Sequence, residues 1–174
     1  MMHLLFKVFV FVSVVMPYPL SADTRDDADK AASVNALAFL GKENLDTQAK
    51  LFAARSLRCV FQVGRMAIGK EGTFSFQDGP FNNDGGNLQL DGIDLKAGTA
   101  RVIGNAGAED VQVLAMANGI NFIELPGATL NLYTVFSAPT GQKDEFYAVT
   151  SRHAKLAGVP APSQYTGKCK IWGQ

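Results

Sequence analysis

The chain has 174 residues, and its sixteen basic and sixteen acidic side chains balance to a formal charge of zero. With no basic run either, it has no long-range field to steer it toward nucleic acid or an anionic membrane surface. Two cysteines and the one histidine beyond the leader, His153, fall short of the usual four-ligand zinc set, so neither a metal nor another cofactor is expected.

Residues 1–22 read as a signal peptide. His3 and Lys7 lend weak polarity near the start, Val8 to Met16 form an apolar run broken only by Ser13, and Pro17 and Pro19 end it before Leu20-Ser21-Ala22, a small-residue cleavage site. The run is shorter than the roughly 20 apolar residues that span a bilayer. Removing 22 residues, Lys7 among them, from 174 leaves 152 with fifteen basic and sixteen acidic groups, enough for one domain with its own core. No later segment is long and apolar enough to cross a membrane as a helix, so no stable insertion is expected after cleavage. The expected destination is the periplasm or the exterior.

Residues 23–56 carry a helical pattern. Asp26, Asp27 and Asp29 suit a helix N-terminus, and Ala31, Val34, Leu37, Ala38 and Phe39 give an apolar face. Gly41 is expected to stop that helix and Asp46 to cap a second one through Ala49, Leu51, Phe52 and Ala53.

From residue 57 the period turns to alternation, over a domain expected to span 57–174. Cys59, Phe61 and Val63 face one way, Phe74 and Phe76 alternate after the Lys70-Glu71-Gly72 turn, and Leu88 and Leu90 follow. At Gly92 the apolar phase shifts to Ile93 and Leu95, which indicates a bulge. Further strands fall at Ala100–Ile103, Val111–Ala115, Ile120–Leu125, Thr129–Phe136, Phe146–Ser151 and Tyr165–Trp172, with a type I′ turn expected at Asn118-Gly119. Twelve phenylalanines, three of them in the leader, supply core volume.

Eight or nine strands with short links and no crossover helix make an antiparallel up-and-down meander, rolled into a small barrel or folded as a sandwich. Cys59 and Cys169 lie on the core faces of the first and last strands. In an exported chain two cysteines pair, and a disulfide needs Cα atoms within about 7 Å, so these strands must be neighbours in a closed sheet. A strict meander with an odd strand count would make them parallel, which favours eight principal strands. The architecture resembles that of lipocalin-like binders and bacterial protease-inhibitor barrels, without signature residues of either.

Alternate links of a meander share an end. The links near Gly69–Glu71, Lys96–Ala97, Asn118–Gly119 and Ala138–Lys143 would close one end, and the longer ones near Asp78–Gly86 and Arg152–Gln164 would decorate the other. The Asp78–Asn87 stretch has oxygen side chains and glycines but matches no full calcium motif, and such residues serve any turn. The second stretch gathers Arg152, His153, Ser163 and Gln164 between stiffening prolines. These four are the candidate ligand-binding residues, with Glu124 a possible carboxylate partner for Arg152. No catalytic residue is assigned. The function expected is an exported, non-enzymatic barrel that takes a small ligand or a protein partner at its loop-rich end. Two alternatives stand beside it: a structural or inhibitory envelope protein acting through the 152–164 loop, and a weak hydrolase centred on His153 with Ser151 or Ser163 as nucleophile, for which no nucleophile-elbow motif is present.

Overall fold

The computed structural model describes residues 41–80, 86–105 and 107–173. The leader and the first helical pattern lie outside them, as does the middle of the Asp78–Asn87 stretch. Residues 41–53 are helical, with Gly41 the first described residue, so Asp46 lies inside this helix instead of capping one. A glycine costs a helix only about 1 kcal/mol. Burial of Leu51, fully enclosed, with Ala54 just beyond the helix, outweighs that cost.

The strands are β1 (Leu57–Lys70), β2 (Thr73–Pro80), β3 (Asn87–Asp94), β4 (Thr99–Gly104), β5 (Gly107–Met116), β6 (Gly119–Glu124), β7 (Leu130–Pro139), β8 (Glu145–His153), β9 (Lys155–Leu156), β10 (Val159–Pro160) and β11 (Ser163–Ile171). β1 pairs antiparallel with β11 along Leu57–Met66. Its other edge carries β3 opposite Leu57–Val60 and β2 opposite Val63–Lys70. β2 and β3 therefore follow one another down the same edge. Eight strands, β1, β3 to β8 and β11, close into an antiparallel barrel, and β2 is the additional strand that removes the parity problem. The β1–β2 hairpin projects past the barrel, which places its turn at the decorated end rather than the tight one.

Inside, apolar side chains repeat with the period of the pleat. Leu57, Cys59, Phe61, Leu90, Ile120, Phe122, Val135, Phe146 and Cys169 are almost wholly buried. The phase changes twice, each time at an irregularity. In β1 the register with β11 slips between Phe61 and Val63, so Val63 points outward at 67% exposure, against the simple alternation. In β3 the slip between Asp91 and Asp94 coincides with Gly92 at φ +60°, where the sequence pattern places a bulge.

The primed turns fall elsewhere than expected. Glu71-Gly72 and Ala157-Gly158 have both central residues at positive φ, the signature of type I′ hairpins. Between β5 and β6 the ladder already closes at Met116↔Gly119, so the two-residue turn is Ala117-Asn118. Gly119 is needed for another reason: a Cβ there would fall onto the Val135 carbonyl oxygen of the neighbouring strand.

The helix closes the end formed by the β3–β4, β5–β6 and β7–β8 links. Gln48 Nε2 donates to Ala117 O at 2.7 Å, and Ile93 N donates to Arg55 O at 3.0 Å. Trp172 lies outside the wall, its ring under the Arg58 guanidinium at 3.5 Å. The opposite end carries the β4–β5, β6–β7 and β8–β11 connections.

The disulfide sits at the closing seam. Cys59 and Cys169 are cross-strand partners, bonded with Cα atoms 4.0 Å apart. Two rows along, Gly167 faces Phe61. A Cβ on Gly167 would fall onto the Val60 carbonyl oxygen and within 2.8 Å of the Phe61 ring, so the glycine lets that ring lie against the seam. Replacing both cysteines by alanine releases a link between positions 110 residues apart. The unfolding free energy in urea is expected to drop by about 4–5 kcal/mol; an unchanged midpoint would mean that the ladder alone holds the barrel closed. Gly167→Ala should destabilise by at least about 1–3 kcal/mol in the same assay, because backbone must move to admit the methyl.

Candidate ligand site at the barrel mouth

Cross-strand pairing aligns one polar row on the inner face near the decorated end. Glu124 of β6 pairs with Asn131 of β7, Asn131 with Arg152 of β8, and Arg152 with Ser163 of β11. The row below holds Phe122, Tyr133, Thr150 and Tyr165. The barrel is thus filled by hydrocarbon through most of its length and turns polar only at the mouth.

The polar groups bond in one possible sense. Arg152 Nε donates to Asn131 Oδ1 at 2.9 Å, and Asn131 Nδ2 donates to Glu124 Oε2 at 2.6 Å. A guanidinium can only donate and a carboxylate can only accept, so the amide between them has a single orientation. Tyr133 OH adds a bond to the same Glu124 oxygen at 2.7 Å. Glu124, Asn131 and Tyr133 are each at most 9% exposed. Burial first, and then the hydrogen bond and charge of Glu124, push the Tyr133 phenol far above its ordinary pKa, so it stays a neutral donor.

A cavity of about 360 Å³ opens onto this row. Leu88, Val102 and Pro126 supply its apolar wall, Glu109 stands at the rim, and Glu124, Asn131, Tyr133 and Arg152 supply its polar wall. Its volume is within the range of small-molecule sites, and so is its make-up of apolar lining with a few convergent polar groups. Capacity for further bonds remains. Among the described residues Arg152 makes no hydrogen bond through its terminal nitrogens, and Glu124 makes none through Oε1. No fully buried side-chain oxygen or nitrogen among them lacks a partner, so that free carboxylate oxygen is reachable from open space. A larger cleft of about 590 Å³ lies between the helix and the β7–β8 link. Its lysines are exposed and no buried polar group faces it, which makes it the weaker candidate.

The four residues expected to form a site do not form one together. Arg152 and Ser163 share the inner row, but His153 and Gln164 belong to the outward phase of their strands. His153 is exposed beside Ala128, Thr129 and Pro160, and Gln164 Nε2 donates to Ser151 Oγ at 3.2 Å on the outer wall. Ser163 faces in while His153 faces out, and Ser151 accepts from Gln164, so among the described residues neither serine is hydrogen-bonded to His153 as a nucleophile would be to its base. The 152–164 stretch is also no simple loop, because all four candidates sit on strand ends and the β9–β10 hairpin stands between them. Asp78, at the start of the oxygen-rich stretch that matches no full calcium motif, is paired with Arg65 across β1 and β2, and no metal-binding cluster occurs among the described residues.

Alternation did not single out Asn131 and Tyr133, yet it could have. Stepping back in twos from Val135 on β7 puts both on the core face, and a buried polar residue there needs partners of its own.

No protein-family model matches the chain, and no curated protein matches it in sequence.

The Tyr133–Glu124 bond makes a test of the site's energetics. Tyr133→Phe is expected to lower the unfolding free energy at neutral pH by about 1.5–3 kcal/mol, as for a lost bond to a charged group. The raised phenol pKa contributes fully below about pH 10 and is lost above it, where the unfolded chain ionises first. Wild type should therefore lose stability faster than Tyr133→Phe between pH 9 and 11 in urea titrations; parallel curves would show that this phenol is not protected.

Proposed function

We propose that this is an exported barrel that binds a small polar ligand in its mouth. The observation that carries the reading is the Glu124–Asn131–Arg152 row, buried at its centre, fixed in orientation, and left with free bonding capacity beside a cavity. A row serving stability alone would gain by satisfying every donor and acceptor internally.

Export rests on the leader pattern and on the disulfide, which persists in an oxidising compartment. The wall supports a protein bathed in water. Arg58, Asp91, Arg101, Asp110 and Lys168 face outward while the interior is apolar, the reverse of a membrane-spanning barrel. Binding is non-enzymatic in this reading, because the Tyr133 phenol beside Glu124 is held protonated by its burial and is a poor nucleophile.

The reading is tested by amide NMR on the oxidised chain titrated with small polar metabolites: amino acids, sugars and short carboxylates. At least one class should shift resonances of Glu124, Asn131, Tyr133 and Arg152, saturate, and lose the effect in Arg152→Ala. His153→Ala, outside the site, should leave binding unchanged within about twofold, a difference of only ~0.4 kcal/mol. Shifts confined to the helix-side cleft, or equal loss in both variants, would overturn the reading.

A further inference from the structure

The mouth is electrically divided. On the β5–β6 side stand two carboxylates: Glu124, and Glu109, which shares the inner face because it pairs with buried Val102. On the β8 side stands Arg152. Asn131 keeps the opposite charges of Glu124 and Arg152 apart, bonding to each, so neither cancels the other by direct contact.

From this geometry we infer that the ligand is a small zwitterion of amino-acid type, its ammonium group at Glu124 and its carboxylate at Arg152. The inference rests on the mouth being the binding site. A simple anion would gain at Arg152 and be opposed by the two carboxylates; a simple amine would gain at the carboxylates and be opposed by Arg152. A neutral polyol would strip water from three charges without replacing it by charge-assisted bonds. A molecule with both charges gains a charge-assisted bond at each wall, and those bonds offset the desolvation of its ammonium and carboxylate groups. The free atoms match this demand: Glu124 Oε1 accepts, and the Arg152 terminal nitrogens offer a planar fork to a carboxylate. The cavity of about 360 Å³ suits a ligand of this size rather than a longer peptide.

The experiment uses the full mature, disulfide-bonded chain and six probes, with mouth amide shifts and calorimetry as readouts. L-alanine and 4-aminobutanoate bracket the separation of the two charges; L-leucine adds apolar bulk; propionate, propylamine and glucose carry one charge or none. At least one of the three zwitterions is expected to bind at least tenfold tighter than each of the other three. Glu124→Gln, which keeps the size of the side chain and its bonds to neighbours, should weaken that zwitterion at least tenfold while propionate binds no worse. Arg152→Gln should weaken it similarly while propylamine binds no worse. Unfolding curves for both variants confirm that the barrel is intact. If propionate, propylamine or glucose binds in the mouth as tightly as any zwitterion, the charge assignment is overturned and the mouth remains the site. If no probe moves mouth resonances, the inference is overturned and the binding reading loses its support with it.

Discussion

The ladder between β1 and β11 is the contact on which the remaining structure depends, because it turns a meander into a closed object. A sheet open at that seam would expose two strand edges and the inner faces of Phe61, Phe146 and Cys169, all now fully or almost fully enclosed. The seam is held in three ways. Cys59 and Cys169 bond across it; Gly167 gives Phe61 room against it; and one residue's slip in β1 redirects the strand beyond Phe61. That slip lets β1 continue past the barrel and carry β2, so closure and the projecting hairpin share a cause.

Closure also builds the mouth. Glu124, Asn131, Arg152 and Ser163 come from four different strands, and only the registers between those strands set them in a line. Hydrocarbon below them lowers the local dielectric and strengthens each bond in the row. The same hydrocarbon makes any unpaired polar atom costly, so the row is tightly organised where it is buried and free only where it meets the cavity. The polar row is thus an outcome of where the apolar filling of the barrel stops.

Much of this was legible from residue order. Period-two alternation located the strands, the phase change at Gly92 revealed the bulge in β3, and two core-facing cysteines implied neighbouring first and last strands. The polar row at the mouth was only half legible. Arg152 and its link to Glu124 were anticipated in outline, but the actual intermediary, Asn131, was not. His153 and Gln164 were grouped with Arg152 and Ser163 because they are near in sequence, although adjacent residues of a strand face opposite ways. The hairpin signal at Asn118-Gly119 misled by one residue: a neighbouring strand's close approach, rather than the turn, is what that glycine answers.

What residue order determined by itself was the set of local preferences: alternation, turn chemistry, and a pair of thiols committed to one face. These follow from sterics and side-chain polarity, which act within a few residues of the chain. Only the tertiary structure decided that β2 and β3 share one edge of β1, that the barrel therefore has eight walls, and that a carboxylate and a guanidinium face one cavity across an amide. Those facts depend on register between distant strands. Register is set by the summed packing of all the inner side chains, a quantity that no single stretch of sequence contains.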